Sequence, residues 1–166
     1  TSMLTLTGVQ LSMNSNTYRC VTNSYCPGTE ITNFATLTVP TPIAVVTPAV
    51  ASQTICSGGN ASITTVASGS GVSYQWYVDN GSGYVPIANG GVYSGATSST
   101  LTITGITNNN PTAVTIPYFC AITGACGTVS PQYSYLTVNA LPTITVQAAN
   151  NTVCAGFAAS FKVTAT

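Results

Sequence analysis

The stretch Val72-Ser73-Tyr74-Gln75-Trp76-Tyr77-Val78-Asp79 decides how the chain is read. Val72, Tyr74, Trp76 and Val78 alternate with Ser73, Gln75, Tyr77 and Asp79, and a period of two sends alternate side chains to opposite faces of a half-buried strand. The pattern recurs on both sides. Ser62-Ile63-Thr64-Thr65-Val66-Ala67 reads as an earlier strand, and Leu101 and Ile103, set between threonines, form another apolar face. Tyr118, Cys120 and Ile122 share one side of the next strand, and Tyr135-Leu136-Thr137-Val138 follows. β-branched and aromatic residues favour such runs because they pack well on a pleated surface. Ser57-Gly58-Gly59-Asn60, Asp79-Asn80-Gly81, Asn89-Gly90-Gly91 and Thr123-Gly124 separate the runs as turns. No window carries the 3.6-residue period of an amphipathic helix, so the chain is predicted to be an all-β sandwich.

Composition narrows the function. Of 166 residues only Arg19, Glu30, Asp79 and Lys162 are charged, 2% of the chain, and there is no histidine. With zero net charge there is no field to attract nucleic acid. The chain is 45% hydrophobic, too apolar for a disordered solvating segment, yet no run approaches the 18 apolar residues of a membrane span. General acid–base chemistry lacks its usual groups, because histidine is absent and the two carboxylates lie far apart in sequence. No catalytic residue, cofactor or metal site is predicted, and nothing suggests membrane insertion.

The sequence also matches itself. Thr1-Ser2-Met3-Leu4-Thr5-Leu6-Thr7-Gly8-Val9 aligns with Ser98-Ser99-Thr100-Leu101-Thr102-Ile103-Thr104-Gly105-Ile106. Tyr18-Arg19-Cys20 aligns with Tyr118-Phe119-Cys120, Cys26 with Cys126, and Leu37-Thr38-Val39 with Leu136-Thr137-Val138. Thr152-Val153-Cys154-Ala155-Gly156 aligns with Thr54-Ile55-Cys56-Ser57-Gly58. These offsets of 97 to 100 residues are the size of an immunoglobulin-like domain. The predicted organisation is immunoglobulin-like β-sandwich repeats in tandem, about 98–100 residues each. Residues 1–39 form the C-terminal part of one repeat, 40–139 a complete repeat, and 140–166 the N-terminal part of the next. Neither end reads as a capping sequence, so a longer tandem protein is expected. Pro40, Pro42 and Pro48 either stiffen the junction or begin the first strand of the sandwich.

Tyr118, two residues before Cys120, and Trp76 on an earlier strand resemble the tyrosine corner and core tryptophan of the immunoglobulin fold, and Tyr18 repeats the element. The phenol of such a corner packs inward while its hydroxyl satisfies a backbone group. The wider pattern includes Thr54-Ile55-Cys56-Ser57-Gly58, Tyr74-Gln75-Trp76-Tyr77-Val78, Gly91-Val92-Tyr93-Ser94-Gly95-Ala96-Thr97, Leu101-Thr102-Ile103-Thr104-Gly105 and Cys126-Gly127. It resembles the Ig-like tandem repeats of large Bacteroidetes surface proteins, among them gliding-motility-type adhesins and others exported by the type IX secretion route. The resemblance implies an extracellular or cell-surface location and a spacer or adhesive role, with no chemistry and no ligand residues. Those repeats usually carry more charge than this chain.

Six cysteines in so uncharged a chain suggest an oxidising compartment. Cys120 and Cys126 enclose five residues, as do Cys20 and Cys26, and hairpins of that size favour two local bridges worth about 2 kcal/mol each. Cys56 with Cys120 is the other pairing, disfavoured because Cys56 precedes the expected strand and Val66 stands nearer the position usual for an inter-sheet cysteine. Cys56 and Cys154 are then left over, either linking neighbouring domains or chains or staying as buried thiols. Asn60, Asn80 and Asn150 begin N-x-S/T triplets and read first as turn residues. Tyr74, Trp76, Tyr77, Tyr84 and Tyr93 read mainly as core and otherwise as a carbohydrate platform.

A neutral surface of hydroxyls and amides, with sheet edges lacking charged gatekeepers, favours association. The expected partners are copies of the chain itself, as tandem neighbours and lateral contacts, and surface polysaccharide. The expected role is an extracellular filament or stalk repeat, the alternative being an adhesin module that binds a polysaccharide or another cell surface.

Overall fold

The structure is a computed structural model, and it describes residues 3–23, 28–130 and 132–166. Residues 3–39, the head, contain a 3-10 turn (Leu11–Met13) and four short strands. These are β1 (Thr17–Tyr18), β2 (Val21–Asn23), β3 (Thr29–Ile31) and β4 (Ala35–Thr36). The middle holds β5 (Ala44–Thr47), β6 (Ser52–Cys56), β7 (Gly59–Thr64), β8 (Val66–Ser68), β9 (Ser73–Asp79) and β10 (Tyr84–Pro86). It continues with β11 (Tyr93–Ser94), β12 (Thr100–Ile106), β13 (Val114–Gly124), β14 (Gly127–Val129) and β15 (Ser134–Asn139). The tail, from residue 140, pairs β16 (Ile144–Val146) with β17 (Thr164–Ala165).

The middle is an immunoglobulin-like sandwich. One sheet runs β10-β9-β13-β15-β6, with β14 also on β13, and its edge strand β6 lies parallel to β15. The other runs β11-β12-β7, flanked by the β5–β8 pair. Among the described residues, every buried apolar one belongs to this unit, between Ala49 and Val138. The period-two pattern explains the two layers: Tyr118, Cys120 and Ile122 of β13 and Leu136 and Val138 of β15 face Ile63, Leu101 and Ile103 of the opposite sheet around Trp76. On the outer faces cross-strand threonines bond to one another, Thr64 to Thr100 at 2.9 Å and Thr115 to Thr137 and Thr123 to Thr128 at 3.0 Å each. Hydroxyl pairs thus occupy places that other sheets give to charges.

The head reproduces part of that ladder. β2 and β3 pair Thr22 with Glu30 and Asn23 with Thr29, and at the sequence offsets of 100 and 99 β13 and β14 pair Ile122 with Val129 and Thr123 with Thr128. Likewise Tyr18 opposes Ala35 as Tyr118 opposes Ser134. Gly8 and Gly105 share a φ near 65° (65° and 66°). The tail pairs the same two segments as β5 and β8, one residue out of step: Thr164 faces Val146, whereas its equivalent Val66 faces Thr47. Of the proline-containing stretch, Pro40 and Pro42 precede β5 and Pro48 follows it, because β5 runs from Ala44 to Thr47.

Candidate functional site

Cys120 and Cys126 take places that do not suit the expected bridge. The Cys120–Cys126 bridge is not formed. β13 runs past Cys120 to Gly124 and turns through Ala125 and Cys126 to Gly127, which pairs with Gly124. Four residues of extended strand, about 13 Å, separate Cys120 from that turn, whereas a disulfide needs Cα atoms within about 7 Å. Cys120 is a free thiol at the register position of Trp76, bonded to the Ala121 carbonyl at 3.7 Å, and burial pushes it up to about 11 from 9.0. It is a core residue and chemically inert. Cys56 lies exposed at the end of β6 and is not joined to Cys120; Cys154, its tail equivalent, is also exposed. Val66 is 38% exposed, and the buried residue on that side of the core is Ile63. Cys20 is exposed, its amide donating to Thr32 Oγ1 at 2.9 Å, while Cys26 lies outside the described residues, as does the Cys20–Cys26 pairing.

Trp76 and Tyr118 are fully buried. The Trp76 indole donates to the Ser98 carbonyl at 2.9 Å. The Tyr118 hydroxyl meets the Tyr93 hydroxyl at 3.2 Å, so its partner is a side chain and not the backbone group of a tyrosine corner. Burial and that hydrogen bond raise its pKa far above the ordinary value. Tyr18, the head equivalent, is half-buried because no second sheet covers it. Two of the three sequon asparagines act as backbone acceptors: Asn60 from Gly105 and Asn80 from Ser82.

At one pole of the sandwich three segments lock together. Thr41 donates its amide to Ser70 Oγ at 2.9 Å, and Ser70 returns its amide to the Thr41 carbonyl at 3.0 Å. Ala125, at the β13–β14 tip, donates to the Ser70 carbonyl at 2.9 Å, and the Cys126 thiol approaches the Pro40 carbonyl at 3.6 Å. Gly69 makes the fit possible: at φ +141° a Cβ there would lie 2.9 Å from the Pro42 carbonyl oxygen. These hydrogen bonds fix residues 40–42, the linker that follows the head, to the pole of the sandwich, and its prolines stiffen it.

The outer face of the larger sheet carries an aromatic patch. Tyr77 stacks on Phe119 with centroids 4.8 Å apart, Tyr84 meets Phe119 edge-on at 5.0 Å, and Tyr133 packs on Tyr84 at 5.4 Å. Tyr84 and Tyr133 stay 39% and 47% exposed. Burial against its neighbours, then the nearby Tyr133 and Asp79, push the Tyr84 phenol up. Of the five aromatics singled out from sequence, Trp76 is core, Tyr74 and Tyr93 are half-buried, and Tyr77 and Tyr84 belong to this patch. Phe119 of β13 and Tyr133, just before β15, complete the patch. Alternation puts Phe119 on the outer side of β13, but only the register that sets it opposite Tyr77 reveals the cluster.

Among the described residues no group of three or more Cys, Asp or Glu side chains could hold a metal, and no helix is long and apolar enough to cross a membrane. No protein-family model and no curated protein matches the sequence. Among solved structures the chain is similar to the I-band fragment I67–I69 of titin, with a TM-score of 0.65 at 16% identity over 84% of this chain. An E-to-A variant of the same three-domain fragment gives 0.64, also at 16% identity over 84%. The chain spans about half (47%) of each of those structures. The likeness is one of fold: immunoglobulin-like sandwiches.

Proposed function

We propose that the chain is a structural segment of a large extracellular surface protein, in which immunoglobulin-like sandwiches follow one another as a stalk or filament without catalysis. In this reading it belongs with the Ig-like tandem repeats of type IX-secreted Bacteroidetes proteins. The observation that carries this reading is the repeated register, Thr22–Glu30 against Ile122–Val129 and Tyr18–Ala35 against Tyr118–Ser134. One ladder laid down twice about 100 residues apart is the geometry of a tandem array. The linker anchored to the sandwich through Thr41 and Ser70, and a neutral surface rich in hydroxyls, suit a stiff element that packs beside its copies. Electron microscopy of the native protein tests the proposal. Thin beaded rods are expected, and a compact particle would contradict it.

The aromatic patch favours a second reading, an adhesin module that takes a polysaccharide on Tyr77, Tyr84, Phe119 and Tyr133. Half-exposed tyrosines offer ring faces and hydroxyls without charge. A screen of neutral polysaccharides against monomeric residues 40–139 decides this: binding that Tyr84→Ala and Tyr133→Ala abolish supports it, and no binding excludes it.

A further inference from the structure

Cys56 and Cys126 lie at opposite poles of one sandwich. Cys56 ends β6 beside Val114's end of β13, through Asn139 and Val138, while Cys126 follows the other end of β13. The eleven residues of β13 between those poles span about 33 Å, so the two cannot bond within one domain.

The junctions bring such cysteines together across domains. At the C-terminal pole Cys56 is the register partner of Asn139, on neighbouring strands about 4.8 Å apart. At the N-terminal pole the Cys126 thiol lies 3.6 Å from the carbonyl oxygen of Pro40. Because Leu37-Thr38-Val39 aligns with Leu136-Thr137-Val138, Pro40 holds the place in the head that Asn139 holds in the sandwich. Cys126 therefore touches the position that corresponds to Asn139, the register partner of Cys56. Both thiols are exposed, and neither has a role in the core.

We propose that successive sandwiches are joined by a disulfide between the β6-end cysteine of one, Cys56 here, and the β13–β14 tip cysteine of the next, Cys126 here. Two thiols lose two protons and two electrons to a small-molecule or protein disulfide, which leaves as two thiols or a dithiol. Cys120 takes no part. The proposal rests on the tandem reading above and specifies its linkage.

A polypeptide carrying residues 40–138 twice in succession tests the geometry by itself, since Pro40 then follows Val138 as it naturally follows Val39, and these residues hold the entire core. After oxidation with oxidised glutathione and unfolding, two of its six thiols should be lost in the monomer. Cys56→Ser in the first copy or Cys126→Ser in the second should abolish that loss, and the same changes in the opposite copies should not. Buried Trp76 emission shows that each variant is folded. Six surviving thiols, or a loss indifferent to which copy is changed, overturns the proposal. Non-reducing peptide mapping of the native protein is the second arm. Cys56 and Cys126 should each be joined to peptides outside residues 1–166, and finding both alkylatable overturns the linkage. Flanking sequence that fails to continue the repeat sinks the tandem reading, whatever the duplicated protein does.

Discussion

Leu101 and Leu4 occupy equivalent places in two copies of one sequence pattern, yet Leu101 is 0% exposed and Leu4 is 67% exposed. The contrast holds along both ends of the chain. Ile106 is buried and Val9 exposed; Ile63 is buried and its tail equivalent Phe161 exposed. A compact protein of 16.8 kDa exposes about 7,700 Å², whereas this chain exposes 11111 Å². In the head the uncovered core positions form an open groove of about 510 Å³ lined by Met3, Leu4, Tyr18, Val21 and Ala35. In the head local pattern thus suffices to form hairpins in the sandwich's register, in the tail that register slips by one residue, and at both ends burial requires the facing sheet. The largest expected effect follows. Leu101→Ala should cost about 2–5 kcal/mol, and Leu4→Ala under about 0.5. Urea unfolding followed by the only tryptophan, Trp76, reads the middle sandwich alone. Equal costs would mean that the head shares the sandwich's core.

Buried titratable groups separate the regions next. The folded-state pKa of Cys120 is raised to about 11, while the unfolded thiol ionises near 9.0. The unfolded chain therefore loses its proton first, and stability falls as pH climbs from about 9 to about 11, by up to about 3 kcal/mol. Tyr118, raised further by burial, extends the fall at higher pH. Cys120→Val should remove the first part of the decline and leave the second, measured as urea midpoints at successive pH values.

These contrasts also show what was legible beforehand. Alternation around Trp76 and Tyr118 revealed the strands and the core, because a side chain's face depends only on its own strand. The cysteine pairings were illegible because they depend on where a strand stops. A five-residue spacing looks like a hairpin loop, but Ile122 and Thr123 stay in ladders with both β9 and β14, which carries the turn down to Ala125 and Cys126. The aromatic patch was half-hidden for a related reason: Tyr77 and Tyr84 drew attention as neighbours in sequence, whereas Phe119 joins them only across strands. Junction contacts such as Cys126 to Pro40, 86 residues apart, have no local signal at all.

A smaller effect concerns Ser134. It is buried, and among the described residues its hydroxyl has no hydrogen-bond partner, which costs desolvation with nothing in return. The head carries Ala35 at the equivalent place, opposite Tyr18. Ser134→Ala should therefore stabilise the sandwich by about 1 kcal/mol, seen as a higher urea midpoint with unchanged slope. A loss of stability would show that the hydroxyl is held by a group that the head lacks.

Salt should do least. Of the four charges, Arg19 lies over the Phe34 ring at 5.1 Å, and the Asp79 carboxylate accepts the Gly81 amide at 2.9 Å, a local bond that screening hardly reaches. Between about 0.05 and about 1 M sodium chloride the sandwich's stability should move by less than about 0.5 kcal/mol. Ammonium sulfate acts on apolar surface instead, strengthening burial wherever it is incomplete. The 166-residue chain, with Met3, Leu4, Phe157 and Phe161 exposed, should self-associate in sulfate at concentrations where residues 40–139 stay monomeric, as light scattering would show. Association of both to the same extent would place the adhesive surface on the sandwich's own sheets rather than on the uncovered core faces at the ends.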